Sequence, residues 1–529
     1  MSSSSDHHQE MDRPYKSSRK VLHSFTEWTS SHGVPHIGRA TNPCVIVFWA
    51  IVTIAGLILM LVAIGALIYR YLLYEVAVGV ELKFAQRPFP AVSICDLNPY
   101  SISEAQKIIS VNKLIEAYKY SLAVGTGHAS NTTADEEHMK DMMDRYGFDQ
   151  VKDVAALQAK GRSLLALAMA AADTPTEKSN REKSMTTRRD FIRTCSFNTR
   201  DCDKENDFEE FVDAKLGRCF TFNKEAKHVA KRAGPIYGLR MVLKTSVEEY
   251  LPMSEAAGVR IVVHNQSEIP FPDILGYNVE VGKATSMGVT FREINRLGYP
   301  YGDCIEERDK PSTYLYDGQY NTEGCQRACY QQRIESNCGC TDPSFPPIQG
   351  DLHPCSIENK LQRLCWEGQG KEKKNATRAG GGSEADDDCG CTQPCTEGVY
   401  DVTVSTAKWP SGAVHKVADC NEGDYGRSCK AEFQRNGAMI EIFYAKLNYE
   451  LLTETATYEL VNLASDFGGQ IGLWLGLSAI SVVEYLVLIY LLLRQCCCRP
   501  PVQPMGPHVH PADMVINEGG YYQPPPGVF

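Results

Sequence analysis

The sequence predicts an α+β membrane protein with two transmembrane helices and a large disulfide-rich extracellular domain between them. Apolar residues are concentrated near the two ends of the 529-residue chain. Of its 20 cysteines, 16 lie between Cys95 and Cys429, an even number and too many for a reducing compartment. The long segment between the apolar ends mixes helical and strand-like patterns, which predicts an α+β domain.

The first apolar segment predicts a transmembrane helix at residues 44–70, after a polar N-terminal tail at residues 1–43. No charged residue occurs between Thr41 and Tyr69, and about 20 apolar residues suffice to cross a bilayer. The tail contains neither a short hydrophobic segment nor a cleavage-site pattern, so we expect a signal anchor rather than a removable signal peptide.

The segment at residues 71–460 is predicted to lie outside the cell. Besides its cysteines it contains three glycosylation sequons, which begin at Asn131, Asn265 and Asn375. Two spans then put both tails in the cytosol, including a Pro-rich C-terminal tail at residues 495–529. Basic residues in the N-terminal tail agree with this orientation. We therefore expect a multi-pass protein of the plasma membrane.

Within this segment, residues 101–194 place Ala, Leu and Met at helical spacing, whereas strand patterns dominate elsewhere. Strands are expected at Val76–Val92, Val259–His264 and Met439–Leu452. Since strands adjoin both apolar segments, we expect one central sheet that is coupled mechanically to both membrane helices.

The second apolar segment, residues 461–494, is long and contains a stripe of glycines. Ala464–Leu493 would form about 45 Å of helix against a hydrocarbon core of about 30 Å, so it begins outside the bilayer, tilts or breaks. Gly469, Gly472 and Gly476 share one helix face. Such a stripe is typical of tight helix packing, or of a narrow path on an axis that several copies share.

Two carboxylates, Asp466 and Glu484, interrupt the same segment. Ionisable residues inside a span are costly and usually functional, and rings of carboxylates favour cations. A break near Gly476 would also expose backbone carbonyls beside Ser478, and such oxygens suit a small hard cation. A cation path is therefore one function that this segment predicts.

Four sequence segments occur in an order and spacing that identify a family. They are Ser31-His32-Gly33, Phe89-Pro90-Ala91-Val92-Ser93-Ile94-Cys95, Tyr299-Pro300-Tyr301-Gly302-Asp303-Cys304, and Asp466-Phe467-Gly468-Gly469 through Gly476-Leu477-Ser478. In this set the chain resembles the epithelial sodium channel/degenerin family, which includes acid-sensing and peptide-gated channels. The resemblance covers residues 30–495. It implies a homotrimer, or a heterotrimer with related subunits, that passes Na⁺, is blocked by amiloride and needs no cofactor, metal or nucleic acid.

The resemblance also implies palm, β-ball, finger, thumb and knuckle regions, with the finger at about 100–195 and the thumb at about 304–395. In the pore it implies a selectivity filter of Gly476, Leu477 and Ser478. It further implies a pore mouth and gate of Asn462, Asp466, Gly469 and Gly472. The lower pore would contain Glu484, with His32 and Gly33 from a re-entrant cytosolic gating motif.

Cysteine pairs follow from the same resemblance. It implies the disulfides Cys95–Cys219, Cys195–Cys202, Cys304–Cys395, Cys325–Cys391, Cys329–Cys389, Cys338–Cys365 and Cys340–Cys355. Cys420 and Cys429 are extra to that pattern, and we expect them to pair with each other. Zinc ligation at Cys338-Gly339-Cys340 and Cys389-Gly390-Cys391 is the competing interpretation, and oxidising surroundings favour disulfides.

The stimulus that opens the channel is predicted from what acid-sensing members have and this chain lacks. They carry an acidic pocket between finger and thumb and histidines just after the first span. No His occurs between His36 and His128, and an acidic insertion is missing before Gly258. Tyr299–Gly302 and Gly258–His264 look closer to invertebrate channels that are gated by short amidated peptides of the FMRFamide type. Proton gating and constitutive or mechanical opening remain alternatives, and the ligand contacts are expected in the finger without assigned residues.

No nucleophile–base pair, phosphate loop or metal triad occurs, so the sequence argues against an enzyme. The alternative of a different class is a two-pass cell-surface receptor without a pore. A receptor has no need of carboxylates and a glycine stripe in its second span. Cys496-Cys497-Cys498 at the inner membrane face resembles a palmitoylation site, and free thiols are equally compatible.

Overall fold

The computed structural model describes residues 18–125, 133–369, 389–411 and 428–497. Its contacts divide the chain into two units. The first unit comprises the segments up to Leu73 and from Tyr458 onward, and the second comprises Tyr74–Thr457. The apolar segments thus belong to one unit, and the cysteine-rich segment between them forms the other.

The described residues form these α-helices: α1 Ser18–Trp28, α2 Val34–Arg39, α3 Pro43–Leu72, α4 Ile102–Ala105, α5 Ile109–Gly125, α6 Thr133–Tyr146, α7 Val154–Ala170, α8 Pro175–Ser184, α9 Arg188–Phe191, α10 Thr322–Cys338, α11 Lys360–Gln369, α12 Cys429–Asn436, α13 Leu460–Leu475 and α14 Ala479–Cys497. Short 3₁₀ turns occupy Phe148–Gln150, Pro235–Tyr237, Val247–Glu249 and Glu307–Asp309.

The strands are β1 Val76–Phe84, β2 Ala91–Asp96, β3 Ile192–Phe197, β4 Arg200–Asp201, β5 Phe208–Asp213, β6 Gly217–Phe222, β7 Leu239–Lys244, β8 Gly258–His264, β9 Tyr277–Glu280, β10 Lys283–Asn295, β11 Thr396–Lys408, β12 Gly437–Tyr444 and β13 Asn448–Ala456. They form two sheets in the second unit. The large sheet has the order β1-β13-β10-β12-β7-β3-β4, with β11 paired to β10. The small sheet is antiparallel, in the order β5-β6-β2-β8-β9.

One hydrophobic core joins the two sheets. It extends from Val92, Ile94 and Phe222 on the small sheet to Met241 and Ile440 on the large sheet. Strand β2 is buried at all six positions, whereas β1 lies at the edge of the large sheet and is exposed at all nine. The exposed residues of β1 include Val80 at 63% and Phe84 at 84%.

A second core belongs to the helices of the same unit. Tyr118 of α5, Met142 of α6 and Leu164 of α7 pack in one cluster with Ile334 of α10, and Trp366 of α11 lies against it. The predicted finger and thumb helices therefore share one hydrophobic core.

Two strand predictions need correction. Met439–Leu452, which the sequence predicts as one strand, is two strands, β12 and β13, and each runs parallel to a different stretch of β10. The strand predicted at Val76–Val92 stops at Phe84, and the next strand, β2, begins only at Ala91. Pro88 and Pro90 lie between the two strands, and proline interrupts strands because it cannot donate a backbone hydrogen bond.

In the first unit, α3 is a 30-residue helix that is long and apolar enough to cross a bilayer. Asn42 caps its N-terminus by accepting from the Cys44 amide, and Pro43 occupies the first turn, where its missing N–H costs nothing. In the part of the chain that the structure describes, α13 and α14 meet the same test only as a pair, bent by 72°.

Candidate functional site

The bend between α13 and α14 lies at Gly476, Leu477 and Ser478. Gly476 ends α13 in the left-handed conformation with φ 63°, and its amide donates to the Gly472 carbonyl over 2.9 Å. Ser478 then begins α14, because its carbonyl accepts from the Val482 amide and its hydroxyl accepts from the Ser481 amide. The sequence allows this segment to begin outside the bilayer, to tilt or to break. The structure contains the break.

The segment that precedes α2 fills this break. The His32 amide donates to the Leu475 carbonyl over 2.8 Å, which satisfies one of the carbonyls that a helix end leaves free. A Cβ at Gly476 would lie 2.3 Å from the His32 ring, so only glycine permits this approach. Gly33 has φ 81°, and a Cβ added there would likewise collide with the Thr53 side chain of α3, at 2.1 Å from its hydroxyl oxygen.

Glu484 of α14 holds the same segment. Its Oε2 accepts from the Ser30 amide at 2.8 Å, the Thr29 hydroxyl at 3.0 Å and the Ser30 hydroxyl at 3.1 Å. Hydrogen bonds to a carboxylate are stronger than those between neutral groups. Glu484 is therefore the main polar anchor of residues 29–30.

Two more residues of α14 extend this contact. Ser481 is fully buried and its hydroxyl lies 2.6 Å from that of Ser30, and the Tyr485 hydroxyl lies 3.0 Å from that of Ser31. Below them, Phe25 of α1 packs on Tyr485. We call the joined set of residues 29–33 and 475–485 the broken-helix site.

The broken-helix site borders a cavity of about 350 Å³. Its lining includes Ser30, His32 and His36, and the His36 ring stacks on Trp49 of α3 with 4.2 Å between centroids. The predicted lower-pore residues His32, Gly33 and Glu484 are thus brought together with the predicted filter residues.

The predicted pore-mouth residues lie on α13 and are exposed within the single chain. Asn462, Asp466 and Gly469 are exposed, and Gly472 is half-buried. Among the described residues, a Cβ at Gly469 would meet no atom within 4 Å, and one at Gly472 would meet the Leu477 carbonyl at 3.8 Å. Of the glycine stripe, Gly476 is thus packed closely against His32, whereas Gly469 and Gly472 make no close packing contact with the described part of the chain.

A different glycine provides the close packing between α3 and α13. A Cβ at Gly56 of α3 would lie 3.2 Å from the Trp474 carbonyl. In the N-terminal half of α13, Asp466 accepts from the Tyr458 hydroxyl over 2.7 Å, and the Arg70 guanidinium lies over the Tyr458 ring at 5.0 Å. Asp466 is thus held by a neighbouring phenol.

Comparison with known proteins identifies the family to which the chain belongs. The family model described as amiloride-sensitive sodium channel matches residues 25–488, which include the first apolar segment, most of the second and the domain between them. The chain belongs to the amiloride-sensitive sodium channel family. The degenerins and the epithelial sodium channel share this family, as the sequence resemblance implies.

Similar members of the family come from nematodes. The chain is 38% identical over 350 residues to degenerin mec-4 of Caenorhabditis briggsae, a match that covers 65% of this chain and 44% of the relative. It is 40% identical over 350 residues to degenerin deg-1 of Caenorhabditis elegans, with coverage of 65% and 43%. It is 40% identical over 341 residues to degenerin-like protein asic-1 of Caenorhabditis elegans, with coverage of 64% and 40%. The matched region thus spans less than half the length of these relatives.

The extracellular domain of this family member is cross-linked by disulfides. The structure contains Cys95–Cys219, Cys195–Cys202, Cys304–Cys395, Cys325–Cys391, Cys329–Cys389, Cys338–Cys365 and Cys340–Cys355. These are the pairs that the resemblance implies, so the zinc interpretation of Cys338–Cys340 and Cys389–Cys391 is wrong. Among the described residues, no cluster of three His, Cys, Asp or Glu side chains is arranged to hold a metal ion. Cys420 lies outside the described residues, so its predicted pairing with Cys429 stays a prediction.

Helix α11 is joined to α6 by a buried guanidinium. Arg363 is 0% exposed; its Nε donates to the Arg145 carbonyl at 2.9 Å and its Nη2 to the Asp144 carbonyl at 3.3 Å. These carbonyls lie in the last turn of α6, so a cation there also complements the helix dipole. Glu367 neutralises Arg363 at 2.9 Å and approaches Lys160 at 3.2 Å.

More exposed ion pairs surround this joint. Lys360 binds Asp144 at 2.8 Å and lowers the pKa of that carboxyl chiefly through the hydrogen bond, and Lys113 pairs with Glu358 at 2.9 Å. We call Arg363 and these partners the finger–thumb joint. Each carboxylate of the joint is paired with a cation, whereas an acidic pocket brings carboxylates together.

Of the three predicted glycosylation sites, Asn131 and Asn375 lie outside the described residues. Asn265 follows β8 in a turn and is half-buried. Its carbonyl accepts from the Glu268 amide at 3.1 Å, as in a tight turn. Glycosylation at the three positions stays a prediction.

The partners in the broken-helix site were not predicted from the sequence. Thr29, Ser30, Ser481 and Tyr485 each bind across the break, yet no motif in the sequence marks them. A signal was present, because Ser478, Ser481 and Glu484 recur every three residues in an otherwise apolar helix and so lie on one face.

Proposed function

We propose that this chain is a subunit of a sodium-selective, amiloride-sensitive cation channel of the plasma membrane. The observation that carries the proposal is the break at Gly476–Ser478, filled by residues 29–33 of the same chain. A membrane anchor gains nothing from an interrupted helix, because every unpaired backbone group costs free energy in lipid. Interrupted backbone at membrane depth is tolerated where it is enclosed by protein or lines a water-filled path.

In this proposal α3 and the α13–α14 pair are the two spans, at residues 44–70 and 461–494, and both tails are cytosolic. Several copies, a homotrimer or a heterotrimer, bring their α13 helices to a common axis. The open faces of Gly469 and Gly472 support this placement, since no side chain in the described part of the chain lies within 4 Å of a Cβ at either position. The exposed apolar face of the edge strand β1 also supports assembly of the extracellular domains.

The path that follows has three zones. Asp466 rings concentrate cations at the mouth near Asn462. The triplet Gly476, Leu477 and Ser478 forms the selectivity constriction, where carbonyl and hydroxyl oxygens replace water around Na⁺. Glu484, His32 and Gly33 form the lower pore. Sodium then moves passively down its gradient.

Within this lower pore, Glu484 has a second role. Its Oε2 accepts three hydrogen bonds from residues 29–30. A carboxylate used in this way fixes the wall of the pathway as well as attracting cations. We propose that the conducting state depends on residues 29–33 staying docked in the break.

For gating, we propose a short extracellular amidated peptide of FMRFamide type that binds in the finger at about 100–195 and biases a closed-to-open equilibrium. The missing acidic insertion before Gly258 and the paired charges of the finger–thumb joint support a stimulus other than protons. Proton gating and constitutive or mechanical opening are the alternatives within the family. Several similar proteins are named degenerins, and these names do not decide between the stimuli.

The test is whole-cell current from oocytes that express the full chain, recorded during acid steps, then short amidated peptides, each with and without amiloride. An amiloride-sensitive sodium current evoked by peptide supports the proposal. A current evoked by acid alone replaces the peptide with the proton as the stimulus. Absence of current from this chain, alone and together with related subunits, favours a two-pass cell-surface receptor without a pore.

A further inference from the structure

We infer that Asp96 and Tyr250 form a proton-dependent hydrogen-bond switch, in which one proton on Asp96 reverses the bond between them and turns the Tyr250 hydroxyl onto Gly258. The inference concerns the folded extracellular domain and does not rest on the proposed channel activity.

Asp96 carries a carboxyl group in a buried position. It ends β2 and is 6% exposed. Its Oδ1 accepts from the Tyr250 hydroxyl at 2.7 Å and from the Asn98 amide at 3.0 Å. Burial raises the pKa of Asp96 to about 7, although the bonds from Asn98 and Tyr250 act in the opposite direction. Both protonation states are therefore populated near neutral pH.

The Tyr250 hydroxyl has an acceptor other than Asp96 within reach, and the Thr245 side chain also lies within hydrogen-bond range of it. Besides Asp96, the Gly258 carbonyl lies at 3.3 Å, and the Gly258 amide donates to the phenol oxygen over 3.2 Å. When Asp96 is ionised, Tyr250 donates to it. When Asp96 is protonated, the carboxyl O–H donates to the phenol oxygen, and the phenol proton turns to the Gly258 carbonyl. Every donor keeps an acceptor in both states.

Gly258 connects this pair to both neighbouring strands. It begins β8 with φ 151°, and a Cβ there would lie 2.1 Å from the Val279 carbonyl of β9. Its own carbonyl accepts from the Leu97 amide at 3.1 Å. The proton therefore acts where the β7–β8 connection enters the small sheet.

Other charged groups on the surrounding elements are engaged away from Asp96. Glu249 accepts from the Ser103 amide at 3.1 Å, and Glu248 lies 3.3 Å from Arg435. Glu255 pairs with Arg162 at 3.1 Å. Arg260 of β8 donates to the Pro272 carbonyl at 2.9 Å, and Glu280 of β9 is exposed. Burial, followed by the charge of Asp96, raises the pKa of Tyr250, so the phenol keeps its proton.

The direction of the pH effect follows from the raised pKa. The folded domain binds this proton more tightly than the unfolded chain does, so protonation stabilises the fold. This stability builds up as the pH falls from about 7 towards the ordinary carboxyl value of 3.8. It is lost as the pH rises through about 7.

Hydrogen–deuterium exchange of the full-length protein in nanodiscs tests the switch, with rates corrected for the intrinsic effect of pH. We expect the amides of residues 250–258 to exchange several-fold more slowly at pH 6 than at pH 8, with a midpoint near pH 7. Asp96→Asn keeps the shape of the side chain but cannot titrate, and we expect it to remove this pH dependence. The matched control is Glu268→Gln, which removes another largely buried carboxyl whose pKa burial raises to about 7, and it should keep the transition.

Tyr250→Phe separates the switch from simple burial of a carboxyl. It leaves Asp96 in place but removes the hydroxyl that is passed between acceptors, so Gly258 should exchange quickly at both pH values. Unchanged pH dependence in Asp96→Asn, a midpoint below pH 5 in the wild type, or wild-type behaviour in Tyr250→Phe would each overturn the inference.

Discussion

Glu484 concentrates three hydrogen bonds on one carboxylate oxygen, so it should control how firmly residues 29–33 stay in the break. Glu484→Gln keeps the shape but removes the charge that strengthens those bonds. We expect docking to weaken by about 1–2 kcal/mol, because a hydrogen bond to a charged group contributes about 1.5–3 kcal/mol. Amide exchange at residues 30 and 32 of the reconstituted protein should accelerate roughly tenfold.

The control for this change is Asp466→Asn. Asp466 belongs to the same apolar segment but bonds to Tyr458 instead. Exchange at residues 30 and 32 should be unaffected there. If both variants accelerate exchange equally, Glu484 is not the anchor of this segment.

Gly476 combines a left-handed backbone with a ring packed directly on it, so it should not tolerate a side chain. In Gly476→Ala the backbone costs about 1–2 kcal/mol, and the new Cβ displaces His32. We expect smaller sodium current and a changed sodium-to-potassium permeability ratio, measured from reversal potentials. Gly468→Ala is the matched control, since a Cβ there meets no atom of the described residues within 4 Å. Equal effects of the two substitutions would contradict the special role of Gly476.

At this scale the sequence indicates the residues of the proposed pore more readily than the residues that contact them. His32, Gly33, Gly476 and Glu484 are found through the family resemblance, and the structure brings them together. Thr29, Ser30 and Ser481 are missed because Ser and Thr are common in any polar segment. Their importance depends on a contact between residues more than 450 positions apart, which local patterns do not encode.

The finger–thumb joint carries the sharpest prediction at the scale of elements. Arg363 is fully buried against the end of α6, and its removal leaves the carbonyls of residues 144 and 145 without their partner and Glu367 without the nearer of its two cations. Arg363→Met should cost about 3 kcal/mol, which is typical of breaking a buried charge pair. Exchange of the last turn of α6 reports this local loss.

Lys360→Met is the control within the same helix. The Lys360–Asp144 pair is about half exposed, and such pairs contribute less than about 1 kcal/mol. Protection of α6 should therefore change little. A larger loss of α6 protection in Lys360→Met than in Arg363→Met would show that the exposed ion pairs, rather than Arg363, stabilise the joint.

Elements whose signal is local are predicted well, and elements set by distant contacts are not. The uninterrupted apolar run of α3 predicts a helix, and α3 extends over Pro43–Leu72. The division of Met439–Leu452 into β12 and β13 is missed because both pieces are β-prone. What separates them is their pairing with two stretches of β10, and strand pairing depends on residues far away in the sequence.

For the whole molecule, the choice of stimulus follows from how the extracellular domain is held together. If the Lys360–Asp144 pair helps to keep α6 on α11, acidification to pH 6 should not release it, since the hydrogen bond from Lys360 lowers the pKa of the Asp144 carboxyl. We expect acid steps to evoke less than a tenth of the current that an effective amidated peptide evokes in the same oocyte. A large acid-evoked current that disappears in Asp144→Asn would show instead that the joint is a proton sensor.

The proposed assembly would give a role to two exposed features of the single chain. The glycine face of α13 and the apolar edge strand β1 are open in the chain alone. The resemblance predicts an assembly in which both would be covered. Composition alone could not assign them, because small residues and exposed valines serve many kinds of packing.

The central claim is that ions pass the break at Gly476–Ser478. The most direct measurement is the reversal potential of amiloride-sensitive current under sodium–potassium exchange, in oocytes expressing the chain with a bulky Asn462→Phe substitution intended to hold it open. We predict sodium-selective current whose reversal potential shifts when Ser478→Cys is added and stays unchanged when Gly468→Ala is added. A current with the same reversal potential in all three variants would contradict the claim, because the ions would then bypass the broken helix.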